Sequence, residues 1–248
     1  MTTTEVPAVQ PPAAAPPPRP NGFARIIGVL FSPNDTFASI ARQPDWVVPL
    51  VVILIVSLLA GIVFAQRVDF TGPAREAMEA RNMPQDQIDR TVRITAAVSK
   101  VLSYCSPVVS VIFLLIIAAI LLVAFRLFGG EGDFRQSFAV TCYGWMPGVL
   151  KSIILTVIVA VRGASAMDLA TLIRSNLAFL VPMKTNPLLF ALLSKLDIFT
   201  FWLLALFIIG WAFVAKFSKA KSAAIVISLW IIATLLALIG PAIQTMRK

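Results

Sequence analysis

Residues 106–125 read SPVVSVIFLLIIAAILLVAF, a run of twenty residues without Asp, Glu, Lys or Arg. A helix of that length spans about 30 Å, which is the thickness of the hydrocarbon core of a bilayer. Four further stretches are almost as free of charge: residues 46–66, 136–161, 198–215 and 222–246. All five stretches together, the first extended back to residue 101, contain one charged residue, Lys151. The sequence therefore predicts an all-α, multi-pass membrane protein.

The composition of the whole chain agrees with this class. Of 248 residues, 58% are hydrophobic and 13% charged, whereas soluble domains carry about 25% charged residues. The net charge of +9 comes from basic residues scattered over the loops, which favours anionic lipid headgroups over nucleic acid. We therefore expect membrane lipids and other membrane proteins as partners and no nucleic acid, while a small-molecule substrate stays open.

The sequence lacks the residues that several enzyme classes need. It has no histidine, which excludes Ser-His and Cys-His pairs and His-ligated zinc. Cys105 and Cys142 are too far apart for a metal-binding motif, and we interpret them as packing residues. Gly130-Glu131-Gly132-Asp133 matches the G-x-G-D string of intramembrane aspartyl proteases, but no predicted span supplies the second carboxylate. We predict a glycine-rich turn there, no catalytic residue, no cofactor and no metal site.

The chain divides into three regions. Residues 1–20 contain seven prolines and four alanines and are predicted to be a disordered arm, either a plain spacer or a polyproline ligand. Residues 21–45 are predicted to form two short amphipathic helices in the headgroup layer. Residues 46–246 form the membrane domain, with five predicted transmembrane helices at about 46–66, 105–126, 137–161, 198–216 and 222–243.

The two amphipathic helices are distinguished by their apolar faces. In the first helix Arg25 lies opposite an apolar face, and the second carries Phe37 and Ile40 on one side. The members of the first apolar face repeat at helical spacing: Phe23, Ile26, Ile27, Leu30 and Phe31.

Two of the predicted loops contain further structure. From Gln85 onward the first loop has helical periodicity, and this segment either extends the second span or lies along the membrane surface. In the third loop, residues 175–183 are free of charge until Lys184 but too short to cross a bilayer, so we interpret them as re-entrant or interfacial.

The orientation is predicted from the charges of the loops. With five spans and a cytoplasmic N-terminus, a plain count places eight basic residues inside and twelve outside, which is opposite to the usual bias. Short loops next to spans weigh most, however, and residues 216–221 contain three lysines. We therefore predict a cytoplasmic N-terminus, in the plasma (inner) membrane if the source is bacterial.

With these elements in place, the chain resembles the Yip family of membrane proteins, named for interaction with Ypt/Rab GTPases. The resemblance covers about residues 30–242, and the arm and charged first loop are similar to bacterial-type members. It rests on short motifs in a fixed order: Pro33, Phe37, Ile40, Pro44, Trp46, Pro49, the segment Phe128–Phe134, Phe138, Tyr143, Pro147, Asp197, Phe199, Trp202, Gly210 and the segment Phe217–Lys221. It implies five spans, a cytosolic N-terminus and, as in most members, no enzymatic activity. Rab binding is not implied, because residues 1–20 do not match the region that serves it.

Lys151 is the one candidate site residue. A lysine inside a span costs about 2.5–3.5 kcal/mol on insertion scales, so it should face the helix bundle or a water-filled cavity. It either contacts an anionic ligand or partner, with Asp168 and Asp197 as acids that could reach it, or reaches toward water past a break at Gly144, Pro147 and Gly148.

Two functions remain open from the sequence. The first is a non-enzymatic protein that organises or regulates membrane partners, for example as an accessory of an export or transport system. The alternative is a transporter or lipid-moving protein in which Lys151 lines the path.

Overall fold

The structure, a computed structural model, describes residues 21–166, 168–183 and 185–246. The predicted arm, residues 1–20, lies outside them. The described residues are mainly helical, with one parallel pair of two-residue strands, β1 (Val68–Asp69) and β2 (Ala164–Ser165). The helices are α1 (Gly22–Phe31), α2 (Pro33–Arg42), α3 (Val47–Arg67), α4 (Gly72–Glu79), α5 (Gln85–Tyr104), α6 (Ser106–Leu127), α7 (Phe134–Gly144), α8 (Met146–Arg162), a 3-10 turn (Leu177–Leu180), α9 (Pro187–Lys195), α10 (Ile198–Val214) and α11 (Lys219–Met246).

Four helical segments among the described residues are long and apolar enough to cross a membrane: α3, α6, the α7–α8 segment and residues 219–243 of α11. They coincide with the predicted first, second, third and fifth spans. At the position of the predicted fourth span lies α10, a helix of 17 residues. Its length of about 25 Å is at the lower limit for a crossing.

The third span is interrupted at one residue, Trp145, between α7 and α8. Pro147 stands in the first turn of α8, where its missing N–H is tolerated. Backbone hydrogen bonds from Trp145 N to Thr141 O (3.1 Å) and from Val149 N to Trp145 O (3.2 Å) continue across the interruption. The predicted break in this region is therefore a one-residue irregularity within a continuous helical segment, not a separation into two independent helices.

The chain connections meet at two opposite ends of the bundle. At one end the turn between α6 and α7 contacts the turn between α10 and α11, where Glu131 N donates to Ala215 O (3.3 Å) and Lys216 Nζ lies 2.7 Å from Glu131 Oε2. At the other end the segments after α3 and α8 pair as β1 and β2.

The N-terminal helices belong to the bundle. Phe37 and Ile40 of α2 are fully buried against α7 and α10, on one side of the helix as predicted. The approach is close because Gly210 lies at the contact, where a Cβ would stand 3.0 Å from the Phe37 ring.

The structure shows which face of α1 packs against the bundle, a point that the sequence analysis left open. Arg25 lies opposite Phe23, Ile27 and Phe31, and the Arg25 face is the buried one: Arg25 is 3% exposed, whereas Phe31 is 79% exposed. Ile26 and Leu30 of the predicted apolar face are half-buried against the core. The guanidinium donates to Gln43 O (3.0 Å) and Ser39 Oγ (3.1 Å) at the C-terminal end of α2. A cation is favourable at that end of a helix, so Arg25 fastens α1 to α2 and turns the apolar stripe outward.

Candidate functional site: the Lys151 region

Lys151 forms an ion pair within the chain. Its Nζ lies 2.6 Å from Oδ2 of Asp197, one of the two acids considered from the sequence. The Asp197 side chain is 1% exposed, and the Lys151 side chain is 33% exposed. The other acid, Asp168, lies in a turn where its carbonyl accepts from the N–H groups of Thr171 and Leu172. The pair neutralises the one charge that the sequence places inside a predicted span.

Asp197 is positioned by two further hydrogen bonds of its carboxylate and by a backbone hydrogen bond of the next residue. It is the N-cap of α10, where its Oδ1 accepts from Phe199 N (2.8 Å). Its Oδ2 also accepts from Ser175 Oγ (2.7 Å), while Ser175 O accepts from Ile198 N (3.1 Å). A carboxylate at a helix N-terminus is also favoured by the helix dipole. The first turn of α10 therefore holds Oδ1, and Ser175 of the preceding loop holds Oδ2.

These contacts determine the charge of Asp197. Burial raises the pKa of Asp197, but the hydrogen bonds from Lys151 and Ser175 and the nearby Lys151 charge lower it by more. The net pKa lies below the usual 3.8, because the bonds are made to the ionised form. The carboxyl is therefore ionised at neutral pH and carries the charge that Lys151 needs.

The pair lies deep along α8. Lys151 precedes the end of this helix, Arg162, by eleven residues, which corresponds to about 16 Å. The segment around Ser175 must extend inward by a similar distance to contact Asp197, and Asn176 forms an isolated antiparallel bridge with Asp197. The side chain of Asn176 caps the 3-10 turn through Ala178 N (2.9 Å). The start of this segment therefore packs against the N-terminus of α10, and the two alternatives for residues 175–183, re-entrant and interfacial, both stay predictions.

Lys151 also lies in the wall of a cavity of about 470 Å³, here called the lateral cavity. The walls come from α6, α8, α10 and α11, and Lys151 and Thr200 are the polar exceptions among mostly aliphatic and aromatic residues. The lining is Ile117, Ile120, Leu121, Trp145, Gly148, Lys151, Phe199, Thr200, Leu203, Leu204, Phe207, Val226, Leu229, Trp230, Ile232, Ala233 and Leu236.

A second cavity of about 190 Å³ lies on the other side of Trp145 and Gly148, between α3, α6 and α8. It is lined in part by Ser57, Ser110 and Ser152, and the Ser57 and Ser110 hydroxyls are 2.9 Å apart. Trp145 and Gly148 line both cavities. A Cβ at Gly148 would stand 3.2 Å from Trp145 Nε1, so the glycine allows the indole to lie between the two cavities.

The glycine-rich segment predicted as a turn, residues 129–133, connects α6 to α7 and contacts neighbouring helices of the bundle. Gly129 and Gly132 have φ of +81° and +117°, which glycine adopts without strain. Asp133 and Gln136 form a capping box at the start of α7, and Gln136 Nε2 also donates to Ala41 O (2.7 Å) at the end of α2. Asp133 is thus used as a helix cap, and the segment links α2, α6, α7 and α10.

Two of the buried contacts described above, one at Ser175 and one at Arg25, were outside the sequence prediction. Ser175 was not singled out, and its only sequence signal was its place at the start of a charge-free stretch. Arg25 was placed on a helix face without a partner, since Ser39 and Gln43 give no charge signal. Among the residues that the structure describes, no group of three potential metal-ligating residues occurs.

Comparison with known proteins identifies one family. The Yip1 domain matches residues 27–240, which is most of the chain and includes every helix from α2 to α10. No curated protein and no solved structure matches the chain significantly.

Proposed function

The chain belongs to the Yip1 domain family, and we propose from this that it is a non-enzymatic membrane protein that organises or regulates other membrane proteins. The most concrete form of the proposal is an accessory of an export or transport system in a bacterial plasma membrane. The observation that carries it is the Lys151–Asp197 pair: the lysine inside the third span and this carboxylate are engaged with each other, and the carboxylate is also engaged with Ser175.

The absence of enzymatic activity is supported by the chemistry of the interior. A general acid or base must present its proton to a substrate at hydrogen-bond distance. Asp197 directs Oδ1 to Phe199 N and Oδ2 to Lys151 and Ser175. Both oxygens are thus occupied by bonds that fix the fold.

The proposal includes five crossings with the N-terminus in the cytoplasm. The meeting of residues 131 and 215 at one end and of residues 68 and 164 at the other end supports an alternating path of α3, α6, α7–α8, α10 and α11. The basic turn of residues 216–221 lies at the same end as the turn between α6 and α7, since Lys221 Nζ donates to Phe128 O (2.9 Å). Positive residues in short loops favour the cytoplasmic side.

The same end offers a surface for partners. The exposed stripe of α1 (Phe23, Ile27 and Phe31) adjoins a membrane-embedded bundle, and Lys219 at the start of α11 is exposed. An apolar stripe beside basic residues is typical of surfaces that bind lipid headgroups and membrane-associated segments.

Photocrosslinking in native membranes tests this proposal. A photoreactive amino acid at Lys219 should capture specific membrane proteins, and the same group at exposed Gln87 near the opposite end should not capture the same set. Identical capture from both positions, or capture of lipid alone at Lys219, would contradict the organising role.

The alternative, a transporter or lipid-moving protein, is favoured by one observation: Lys151 lines the lateral cavity. Flux in proteoliposomes that is lost in Lys151→Ala, while the variant keeps its fold in detergent, would support the alternative. It would replace the organising role as the principal function.

A further inference from the structure

We infer that the lateral cavity is a binding site for one acyl chain of a bilayer phospholipid, entered sideways between α6 and α11. The inference goes beyond the proposed function and does not rest on it. Its starting point is the packing of α11, which contacts α9 and α10 extensively and α6 only slightly.

The opening of the cavity faces the surroundings of the bundle. Ile120 on α6 is 47% exposed, and Ile232 and Leu236 on α11 are 53% and 63% exposed, although all three line the cavity. α6 and α11 are both candidate membrane spans. The lining residues lie in the middle parts of these two helices, so a gap between them opens into the hydrocarbon of the bilayer. The molecules that can enter such a gap in quantity are lipid acyl chains.

The size and the mostly apolar lining of the cavity fit an acyl chain. An apolar cavity of about 150 Å³ stays dry and holds benzene, and the lateral cavity is about 470 Å³. Its inner wall is formed by rings and branched side chains, including Phe199, Phe207 and Trp230. An unfilled space of this size would leave those side chains without van der Waals partners on one side.

The charge in the wall determines which lipids can enter. Lys151 is the one cation of the lining, and Asp197 already compensates its charge at 2.6 Å. A site without net charge has no reason to prefer an anionic headgroup. We therefore expect zwitterionic and anionic phospholipids with the same chains to bind equally well, which distinguishes this site from an anion site at Lys151.

A matched pair of substitutions on α11 tests the site. Ala233 lines the cavity, and Ala233→Phe places a ring in the space of the chain. Ala237 lies one turn further along α11, is exposed and is not part of the lining, so Ala237→Phe adds the same ring outside the cavity.

The measurement is quenching of tryptophan fluorescence in the full chain, delipidated in mild detergent and titrated with phosphatidylcholine carrying brominated acyl chains. Trp145 and Trp230 line the cavity, so wild type and Ala237→Phe should show saturable quenching that unbrominated lipid reverses. Ala233→Phe should lose the saturable component while its near-ultraviolet circular dichroism stays unchanged. Brominated phosphatidylglycerol should give the same curve as brominated phosphatidylcholine.

Three results would overturn the inference. The first is saturable quenching in Ala233→Phe equal to that of wild type. The second is selectivity for phosphatidylglycerol that disappears in Lys151→Met, which would indicate an anion site. The third is quenching in wild type that unbrominated phosphatidylcholine does not reverse. This result needs only the wild-type protein, so it can be obtained even if Ala233→Phe fails to fold.

Discussion

The Lys151 ammonium and the Asp197 carboxylate lie 2.6 Å apart although the two residues are separated by 46 positions in the chain. The contact joins the first half of α8 to the N-terminus of α10. Because Asp197 also bonds Ser175, one carboxylate holds together two helices and the loop between them. The pair is therefore expected to contribute to the stability of this half of the bundle.

Lys151→Met should destabilise the protein. The substitution keeps an apolar side chain of similar length but leaves the Asp197 carboxylate, 1% exposed, without its counter-charge. Breaking a buried ion pair costs about 3–5 kcal/mol, and we expect about 3 kcal/mol because a third of the Lys151 side chain is exposed. Thermal unfolding in mild detergent measures the effect.

The double variant Lys151→Met/Asp197→Asn provides the control for this prediction. It removes both charges and should recover part of the lost stability, and Lys219→Met at an exposed position should change the midpoint little. If Lys151→Met unfolds at the same temperature as wild type, the pair contributes nothing and Lys151 is not a structural residue.

Acidification should remove the same contribution. A carboxyl whose pKa is lowered on folding stabilises the folded state above its unfolded pKa, and this stabilisation is lost as the pH falls through the folded pKa. Asp197 has such a lowered pKa, so the loss should occur below about pH 4. Wild type should lose more thermal stability between pH 7 and pH 3 than Asp197→Asn, and an equal loss in both would show that Asp197 carries no such contribution.

The sequence allowed the helical class and the positions of the main apolar helices to be predicted, because exclusion of charge is a property of each stretch by itself. The local pattern also sufficed to predict two short helices within residues 21–45, which the structure shows as α1 and α2. At Trp145 the sequence predicted only a break nearby. A proline such as Pro147 is compatible both with the first turn of a helix that follows directly and with two separate helices, so the sequence did not distinguish these cases.

The candidate site was predictable in part. Lys151 stands out because it is the single charge in the predicted spans, and Asp197 could be considered because it directly precedes the next span. The choice between Asp168 and Asp197 depends on how the intervening loop folds, which the sequence does not express. The burial of Arg25 was not predictable for a similar reason: one of its two acceptors is the backbone carbonyl of Gln43, and every residue has a carbonyl.

The orientation of the chain can be tested with single cysteines. In a background of Cys105→Ser and Cys142→Ala, a membrane-impermeant thiol reagent should label Gln87→Cys in intact cells and leave Ser218→Cys unlabelled until the membrane is permeabilised. Both positions are exposed, so the difference reports the side of the membrane. Alanine suits Cys142 because it is fully buried, whereas Cys105 is exposed. Labelling of Ser218→Cys alone would reverse the proposed orientation.

The contact between α2 and α10 should depend on Gly210. A Cβ at this position would stand 2.6 Å from Val140 Cγ1 and 3.0 Å from the Phe37 ring, so Gly210→Ala should destabilise the protein by about 1–3 kcal/mol through overpacking. Gly240 has nothing within 4 Å of its Cβ position, and Gly240→Ala should be neutral or slightly stabilising. Thermal unfolding gives the midpoint temperature of each variant. Similar midpoints for Gly210→Ala and Gly240→Ala would mean that α2 is not tightly packed against α10.

The outward stripe of α1 should lie in the membrane interface. Phe23, Ile27 and Phe31 recur every four residues on one face and are at least 60% exposed, and a stripe of this kind is favoured where headgroups meet acyl chains. A nitroxide attached at Ile27→Cys in vesicles should therefore be more accessible to oxygen, which concentrates in hydrocarbon, than to a water-soluble nickel complex. Asn34→Cys on α2, exposed but outside the stripe, serves as the comparison and should show the opposite preference. Preference of the nitroxide at residue 27 for the nickel complex would place the stripe in water, and α1 would then be a surface available to a soluble partner.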